Sequence, residues 1–351
     1  MKVNTQILRS MLGRVNSCKA SNLLEITNYF ELEFTEEGLY INATDGTNYI
    51  SAFDDTSKGG EGSIIVKADQ FTKLINKTTT DEVELKVKSN YLEARGNGTY
   101  KVEMVEGEIY PKLIMDEDIE YNASLEDLKG AIVGGKYAKS NVVNDGVLFA
   151  YLLRNDNIIA ADAIKVYNKN IKGELEGINA LISPALANMI LSLDCENLKV
   201  VTNKDNTLIK FIGQNVVVGG AIMEGADDYP DLTELFEVSS PHTVRLDRKK
   251  VIEGIDRLNL FISLYDKGAI NLVFTDTTLT LSTMSKSIET VKYLEPLSDD
   301  ITYVTTVNCK YLQDLLNAST DEEITIGFGM EDLIKLDSAD INMLLATTDD
   351  E

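Results

Sequence analysis

An α+β chain made of three tandem copies of one strand-and-helix unit is what this 351-residue sequence predicts. Three observations carry that expectation, all of them echoes spaced by about a third of the chain, the signature of a repeat architecture. The first is a strand running into a helix: SIIVKADQFTKLI (63–75), NALISPALANMIL (179–191) and YVTTVNCKYLQDLL (303–316). In each, alternation gives way to apolar residues at helical spacing: Phe71, Leu74, Ile75; Leu186, Ile190, Leu191; Leu312, Leu315, Leu316. The second echo is VEGEIYPKL (105–113) against MEGADDYPDL (223–232), where Pro111 and Pro230 end a strand and start an extended linker. The third is a strand with an aspartate at its tip, GLYINATDGTNYISA (38–52) against NDNIIAADAIKVYNK (155–169), with Asp45 and Asp162 in matching places. The last third, TLTLSTMSKSIETV (278–291), lacks the aspartate.

Each third also opens on a helix signal. Ile7, Leu8, Met11, Leu12 and Val15 form one apolar stripe, and Leu246, Val251, Ile252, Ile255 and Leu258 form another. Between them Ser124 and Asp127 make a capping-box-like pair ahead of Leu125, Leu128 and Ile132. Each third therefore reads strand, helix, strands, helix, strands, and the expected domains are 1–119, 120–240 and 241–351.

Composition narrows the function. The chain has 57 acids against 33 Lys and Arg, a formal charge of −24, with 44% hydrophobic residues, which fits a folded protein and not an acidic disordered tail. No run approaches eighteen apolar residues, so no membrane helix is expected, and the alternating N-terminus does not read as a signal peptide. Cys18, Cys195 and Cys309 are odd in number and far apart, which argues against a disulfide framework or zinc site and makes the cytoplasm the default compartment. The single histidine, His242, beside Pro241, reads as a linker residue. GGEGS (59–63) lacks the context of a phosphate loop, and GNG (96–98) reads as a hairpin turn. Asp45 and Asp162 are best read as turn residues bonding backbone amides. The acid clusters 116–118 and 349–351 read as solvated surface. No catalytic residue, metal or cofactor is expected.

The bases are distributed unevenly. Residues 1–20 hold Lys2, Arg9, Arg14 and Lys19 and no acid; 67–77 hold Lys67, Lys73 and Lys77 against one acid. Residues 124–139 hold Lys129, Lys136 and Lys139 against two acids, and 245–258 hold Arg245, Arg248, Lys249, Lys250 and Arg257 against three. These are helix segments. Ordinary amphipathic helices with wet lysines account for them, and so does a set of helices whose outward faces form one positive surface; the repeat favours the second.

On these residues the chain resembles the bacterial DNA polymerase III beta subunit, the sliding clamp, over nearly its whole length. The resemblance lies in the opening MKV with its basic helix, ATDG (43–46) and its echo AAD (160–162), GVLF (146–149) and the two Tyr-Pro elements. It implies three clamp domains, helices lining a central channel with antiparallel sheets outside, and two copies closed into a ring around duplex DNA. It implies a processivity factor without catalysis, tethering a polymerase. The bases Arg9, Arg14, Lys19, Lys73, Lys77, Lys129, Lys136, Lys139, Arg248, Lys249, Lys250, Arg257 and Lys310 would then face the phosphates, a sequence-independent and salt-sensitive contact.

The resemblance further implies a groove for an apolar peptide of the polymerase and clamp loader. It maps onto Val142, Val143, Ala161, Ala163, Ile164, Lys165, Val166, Pro230, Leu235, Leu344, Leu345 and Ala346. The family's GHR after the aspartate is here Ala163-Ile164-Lys165, and its Met-Pro-Met tail is replaced by ATTDDE, so Asp349, Asp350 and Glu351 would favour peptides with basic flanks. The dimer contact maps onto Tyr100 and Val102 facing Leu260, Phe261 and Ile262. Two other readings stand beside this one: an acidic repeat scaffold that binds proteins through its outer sheets, and an acid-dependent hydrolase with clustered carboxylates.

Overall fold

The structure is a computed structural model that describes residues 1–21, 23–105, 107–196, 198–263 and 267–348. The first third runs β1 (Lys2–Asn4), α1 (Thr5–Val15), β2 (Tyr29–Phe34), β3 (Leu39–Thr44), β4 (Asn48–Asp54), β5 (Gly62–Lys67), α2 (Ala68–Lys77), β6 (Glu82–Val87), β7 (Tyr91–Arg95) and β8 (Thr99–Val105). The middle third runs β9 (Ile119–Ala123), α3 (Leu125–Gly135), β10 (Tyr151–Arg154), β11 (Asn157–Ala161), β12 (Lys165–Asn170) and the short β13 (Gly173–Glu174). It continues with β14 (Asn179–Ile182), α4 (Pro184–Ile190), β15 (Leu198–Thr202), β16 (Leu208–Ile212), β17 (Val216–Ala221) and a short helix, α5 (Thr233–Glu237). The last third runs β18 (His242–Asp247), α6 (Arg248–Asn259), β19 (Ala269–Phe274), β20 (Thr278–Ser282), β21 (Ile288–Lys292), β22 (Tyr303–Asn308), α7 (Cys309–Ala318), β23 (Glu323–Phe328), β24 (Leu333–Ser338) and β25 (Ile341–Ala346). Apart from β13 and α5, one order recurs six times: strand, helix, three strands. His242 is the first residue of β18 and stacks on Phe328 at 5.5 Å, so it is a strand residue and not a linker.

Four helices, α1, α4, α6 and α7, start where a capping side chain meets the end of a strand. Asn4 accepts from the amides of Gln6 and Ile7, Ser183 from Leu186, Asp247 from Lys250, and Asn308 from Lys310 and Tyr311. Each satisfies N–H groups that the first helical turn leaves unpaired. The Lys250 amide is the main reason the Asp247 carboxyl titrates below its usual range.

The chain forms two compact units. The first holds Met1–Leu125, Gly173–Leu175 and Ile182–Glu224; the second holds Glu126–Lys172, Glu176–Leu181 and the chain from Gly225 on. Both units draw on the middle third. In the first unit one thirteen-stranded sheet runs in the order β1-β6-β7-β8-β5-β2-β3-β4-β17-β16-β15-β9-β13. The first third meets the middle third at β4 and β17, with Ile50 opposite Val218 and Asn48 opposite Gly220. A side chain at Gly220 would meet the Asn48 Cα at 3.1 Å, so the seam closes on a glycine. In the second unit an eight-stranded sheet runs β14-β10-β11-β12-β25-β24-β23-β18, and a four-stranded sheet runs β21-β20-β19-β22. There the middle third meets the last third at β12 and β25, with Val166 opposite Leu344.

Local devices repeat with the elements. Asp45 accepts from the amides of Thr47 and Asn48 at 2.9 and 2.7 Å, and Asp162 from those of Ile164 and Lys165 at 2.8 and 2.7 Å. Both aspartates are therefore turn residues, as their sequence context suggests. In the last third Thr283 fills the place, accepting from the Ser287 amide through a loop one residue longer. The first Tyr-Pro segment is a latch, and the second buries its tyrosine in the matching place. Buried Tyr110 donates to the Tyr29 carbonyl at 2.8 Å and accepts from the Thr44 amide at 3.2 Å, just before the Asp45 turn. Buried Tyr229 faces the Ala161 backbone just before the Asp162 turn.

The helices of each unit make one layer. In the first, α1 packs on α2, and its C-terminal end meets α4, where Asn188 donates to the Ser17 carbonyl. In the second, α6 packs on α7, and α3 approaches α7 so closely that a side chain at Gly134 would meet the Ala318 carbonyl oxygen at 2.7 Å. Two arginines hold helix ends. Arg9 reaches from α1 to the carbonyls of Ile75, Asn76 and Thr78 at the C-terminus of α2. Arg248 donates to the carbonyls of Leu316, at 2.9 Å, and Asp321 at the end of α7. A cation there satisfies carbonyls without helical partners and meets the negative end of the dipole.

Removing that contact leaves polar groups buried and unpaired. Arg248→Ala is expected to destabilise the second unit by about 2–3 kcal/mol, with Arg248→Lys intermediate, as read by urea denaturation.

Candidate functional site

The bases predicted to form a positive face divide into three groups. Lys77, Lys136, Lys249 and Lys310 are exposed on or beside α2, α3, α6 and α7, without an ion-pair partner among the described residues. Lys19 is exposed in the loop after α1 and donates to the Asn16 carbonyl. The second group is exposed but paired: Lys73 with Asp69 at 2.8 Å, Lys250 with Asp247 at 3.5 Å, and Arg257 with Glu289 through two bonds of 2.7 and 2.9 Å. Those bonds lower the Glu289 carboxyl. Half-buried Arg14 meets Asp194 at 3.5 Å, and Lys129 is half-buried on α3.

The third group corrects the sequence expectation. Lys139 is buried, its ammonium bonded to the Ser140 carbonyl at 2.8 Å and lying over the Phe149 ring at 5.0 Å. Burial, with Lys136 nearby, lowers its pKa. Arg248 is buried too, and Arg9 is tied to the end of α2. These three serve the interior because a helix end or a cavity offers acceptors within reach of the side chain. The same helices also expose Asp69, Glu126, Glu253 and Asp256, so the layer is mixed in charge.

The residues expected to form a peptide groove fall on both faces of the β12–β25 ladder. Val166, Leu344 and Lys335 stand opposite one another on three neighbouring strands, hence on one face. Lys335 donates to the carbonyls of Phe236 and Val238, which brings α5, with half-exposed Leu235, over that row. Lys165 and Leu345 are one residue out of phase and point the other way. Lys165 is buried, donating to the Tyr137 carbonyl at 2.7 Å and meeting Asp314 at 3.4 Å, with the Tyr311 ring 4.8 Å away. Leu345 is fully buried. Neither belongs to a groove rim. Ala161 pairs with Val166 and is buried; Ala163 and Ile164 are exposed on the Asp162 turn, and Ala346 bonds the Ile164 carbonyl. Val142 and Val143 are exposed beyond α3. A cavity of about 350 Å³ opens beside Pro230 and is lined by Phe236, Arg154 and Ile159 among others, residues the sequence reading missed. Asp349, Asp350 and Glu351 lie outside the described residues.

Two strand edges bear on the expected dimer contact, the partly open β8 and the sheet-end strand β21. β8 pairs with β7 along Thr99–Glu103 and, among the described residues, reaches β5 only at Met104 and Val105. β21 pairs only with β20 among the described residues. Near β21, at the end of α6, Leu260 and Phe261 are exposed, Phe261 by 57%, Ile262 is half-buried, and Ser285 bonds the Phe261 carbonyl. Tyr100 is exposed at the start of β8, but Val102, 1% exposed, is core: it stands opposite buried Leu92.

This contrast sets opposite costs for the same change. Val102→Asp is expected to cost about 3 kcal/mol or more by burying an unpaired charge. Phe261→Asp is expected to shift unfolding by no more than about 0.5 kcal/mol, as read by denaturant melts at low protein concentration.

No protein-family model matches the chain, and no curated protein matches it in sequence. Solved structures match it end to end. A DNA polymerase III beta chain from Streptococcus pneumoniae superposes with a TM-score of 0.88 at 18% identity, covering 99% of both chains. The DNA polymerase sliding clamp of Bacillus subtilis gives 0.86 at 17% identity, over 100% of this chain and 99% of that one. The Helicobacter pylori beta clamp bound to a DNA ligase peptide gives 0.86 at 15%, over 99% of each. The chain has the fold of the bacterial beta clamps.

Proposed function

We propose that the protein is a sliding DNA clamp, a non-catalytic, cytoplasmic processivity factor of DNA replication. Three domains, 1–119, 120–240 and 241–351, make each subunit, and two subunits close into a ring around duplex DNA. The observation that carries this reading is the end-to-end match to beta clamps at TM-scores of 0.85–0.88, in a chain whose element order repeats as a clamp requires. The open edges of β8 and β21 favour closure, since an unpaired strand edge next to exposed Leu260 and Phe261 is otherwise a liability. DNA is held by the exposed bases Lys19, Lys73, Lys77, Lys136, Lys249, Lys250 and Lys310, with Arg14, Lys129 and Arg257 at the margin.

Polymerase and clamp loader bind through an apolar peptide. The H. pylori relative is a clamp with a ligase peptide bound; here the row of Val166 and Leu344 under α5, with Leu235, Phe236 and Pro230, is the surface suited to such a ligand.

Two measurements test the reading. Light scattering of the purified chain is expected to give about twice 38.8 kDa, and Phe261→Asp to give a folded monomer. The quadruple variant Lys77→Ala, Lys249→Ala, Lys250→Ala, Lys310→Ala is expected to remain dimeric while leaving circular primed DNA faster. Its binding should depend less on salt, by a slope of up to about 0.9 per lost contact. A stable monomer that ignores DNA would instead support the acidic scaffold.

A further inference from the structure

A second groove lies in the first unit and shares no residue with α5 or the Val166–Leu344 row. It arises where β8 leaves its neighbour. β8 pairs with β5 at Met104 opposite Val66 and Val105 opposite Ile65, the last pairs of that ladder among the described residues. In the same register Gly107 would stand opposite Ser63, but Gly107 turns away in the left-handed region at φ +79°. Among the described residues the edge of β5 at Gly62 and Ser63, both exposed, has no strand on that side. Between it and the departing chain lies a hollow of about 620 Å³. Its lip carries Ile109 and Ile114, 91% and 88% exposed, on either side of the Tyr110 latch.

A second hollow of about 800 Å³ shares Ser63 with the first and is lined by Glu33, Glu36 and Glu61 among others. Lys112, which lines the first hollow, is neutralised by Glu31 at 3.2 Å and Glu33 at 2.7 Å; exposed Lys58 adjoins the second at Gly59, where Glu36 and Glu61 are exposed and have no ion-pair partner among the described residues. The groove therefore has a bare strand edge along its floor, a greasy end and an acidic end.

We infer that this groove binds an extended partner segment by strand addition to β5, with bulky apolar side chains on Ile109 and Ile114 and Lys or Arg at the acidic end. Each part of that ligand answers a feature of the groove: backbone groups complete the β5 edge, alternate side chains reach the isoleucines, and cations meet Glu36 and Glu61. Isoleucines this exposed on a stretch held in place by a buried tyrosine form a preorganised surface, so ligand binding orders little of the protein. The inference goes beyond the clamp reading and does not use the DNA-facing bases, so either can fail alone.

The test is fluorescence anisotropy of a short labelled peptide of alternating isoleucine and threonine ending in lysines, titrated with the full chain beside a twin ending in glutamates. The lysine peptide is expected to bind at least tenfold tighter than its twin. The double variant Ile109→Asp, Ile114→Asp, both on the surface and checked for fold by circular dichroism, is expected to weaken it at least tenfold. Glu36→Lys with Glu61→Lys should reverse the preference between the peptides, and Leu235→Ala should leave it unchanged. The inference is overturned by any of four results: no saturable binding, binding that survives the isoleucine double variant, binding lost with Leu235→Ala, or a halved solution mass of the isoleucine double variant, which would make a second copy the occupant.

Discussion

Everything in this molecule depends on finding partners for strand edges. A sheet edge presents a row of unmet backbone groups, and a three-strand set made by one repeat has two such edges. The chain meets this need by running one repeat into the next: β4 against β17 in the first unit and β12 against β25 in the second. The seams set the composition around them. Gly220 is at one because the facing Asn48 leaves no room for a side chain. At the other, alternation sends Val166 and Leu344 toward α5 while Lys165 and Leu345 go toward the helices. Where the pattern lapses, at β8, β21 and the β5 edge, the surfaces of functional interest appear.

Charge is organised by a related economy. Helix ends inside a packed layer expose carbonyls to a dry interior, and a long cation is the side chain best able to reach them. Arg9 and Arg248 do this for α2 and α7, and Lys139 settles on the Ser140 carbonyl in the loop after α3. A chain with 33 bases and 57 acids thus commits several of its bases to the interior. On the helices the outward set that remains is lysine-rich and interrupted by acids.

Local signals in the sequence were legible, and those that depend on neighbours were not. The repeat, the helices and their order come from periodicity and capping over short windows, so they read directly from residues such as Phe71, Leu186 and Leu312. The Asp45 and Asp162 turns are equally local, as is the GNG hairpin between β7 and β8. Whether Lys139 or Arg248 faces water depends on an acceptor brought in by another segment, and a count of bases on a helix contains no such information. Lys165 was misplaced because a one-residue change of phase in a strand exchanges faces. Val102 looks like an edge contact in sequence and is core because Leu92 lies across from it. Phe236, Arg154 and Ile159 escaped notice because they come together only after α5 folds back over the sheet.

The tyrosine latch has a consequence for how such a chain arises. Tyr110 closes onto Tyr29 and Thr44, all within its own third, and Tyr229 faces Ala161 within its own. A module that carries its own clasp can be copied by gene duplication without new contacts having to be invented to hold the copy's exit strand. The copies are then free to diverge at their tips, as Thr283 has done where its siblings keep aspartate. A clasp internal to each third asks nothing of the residues elsewhere, and this chain shares only 15% of its residues with a structure it matches from end to end.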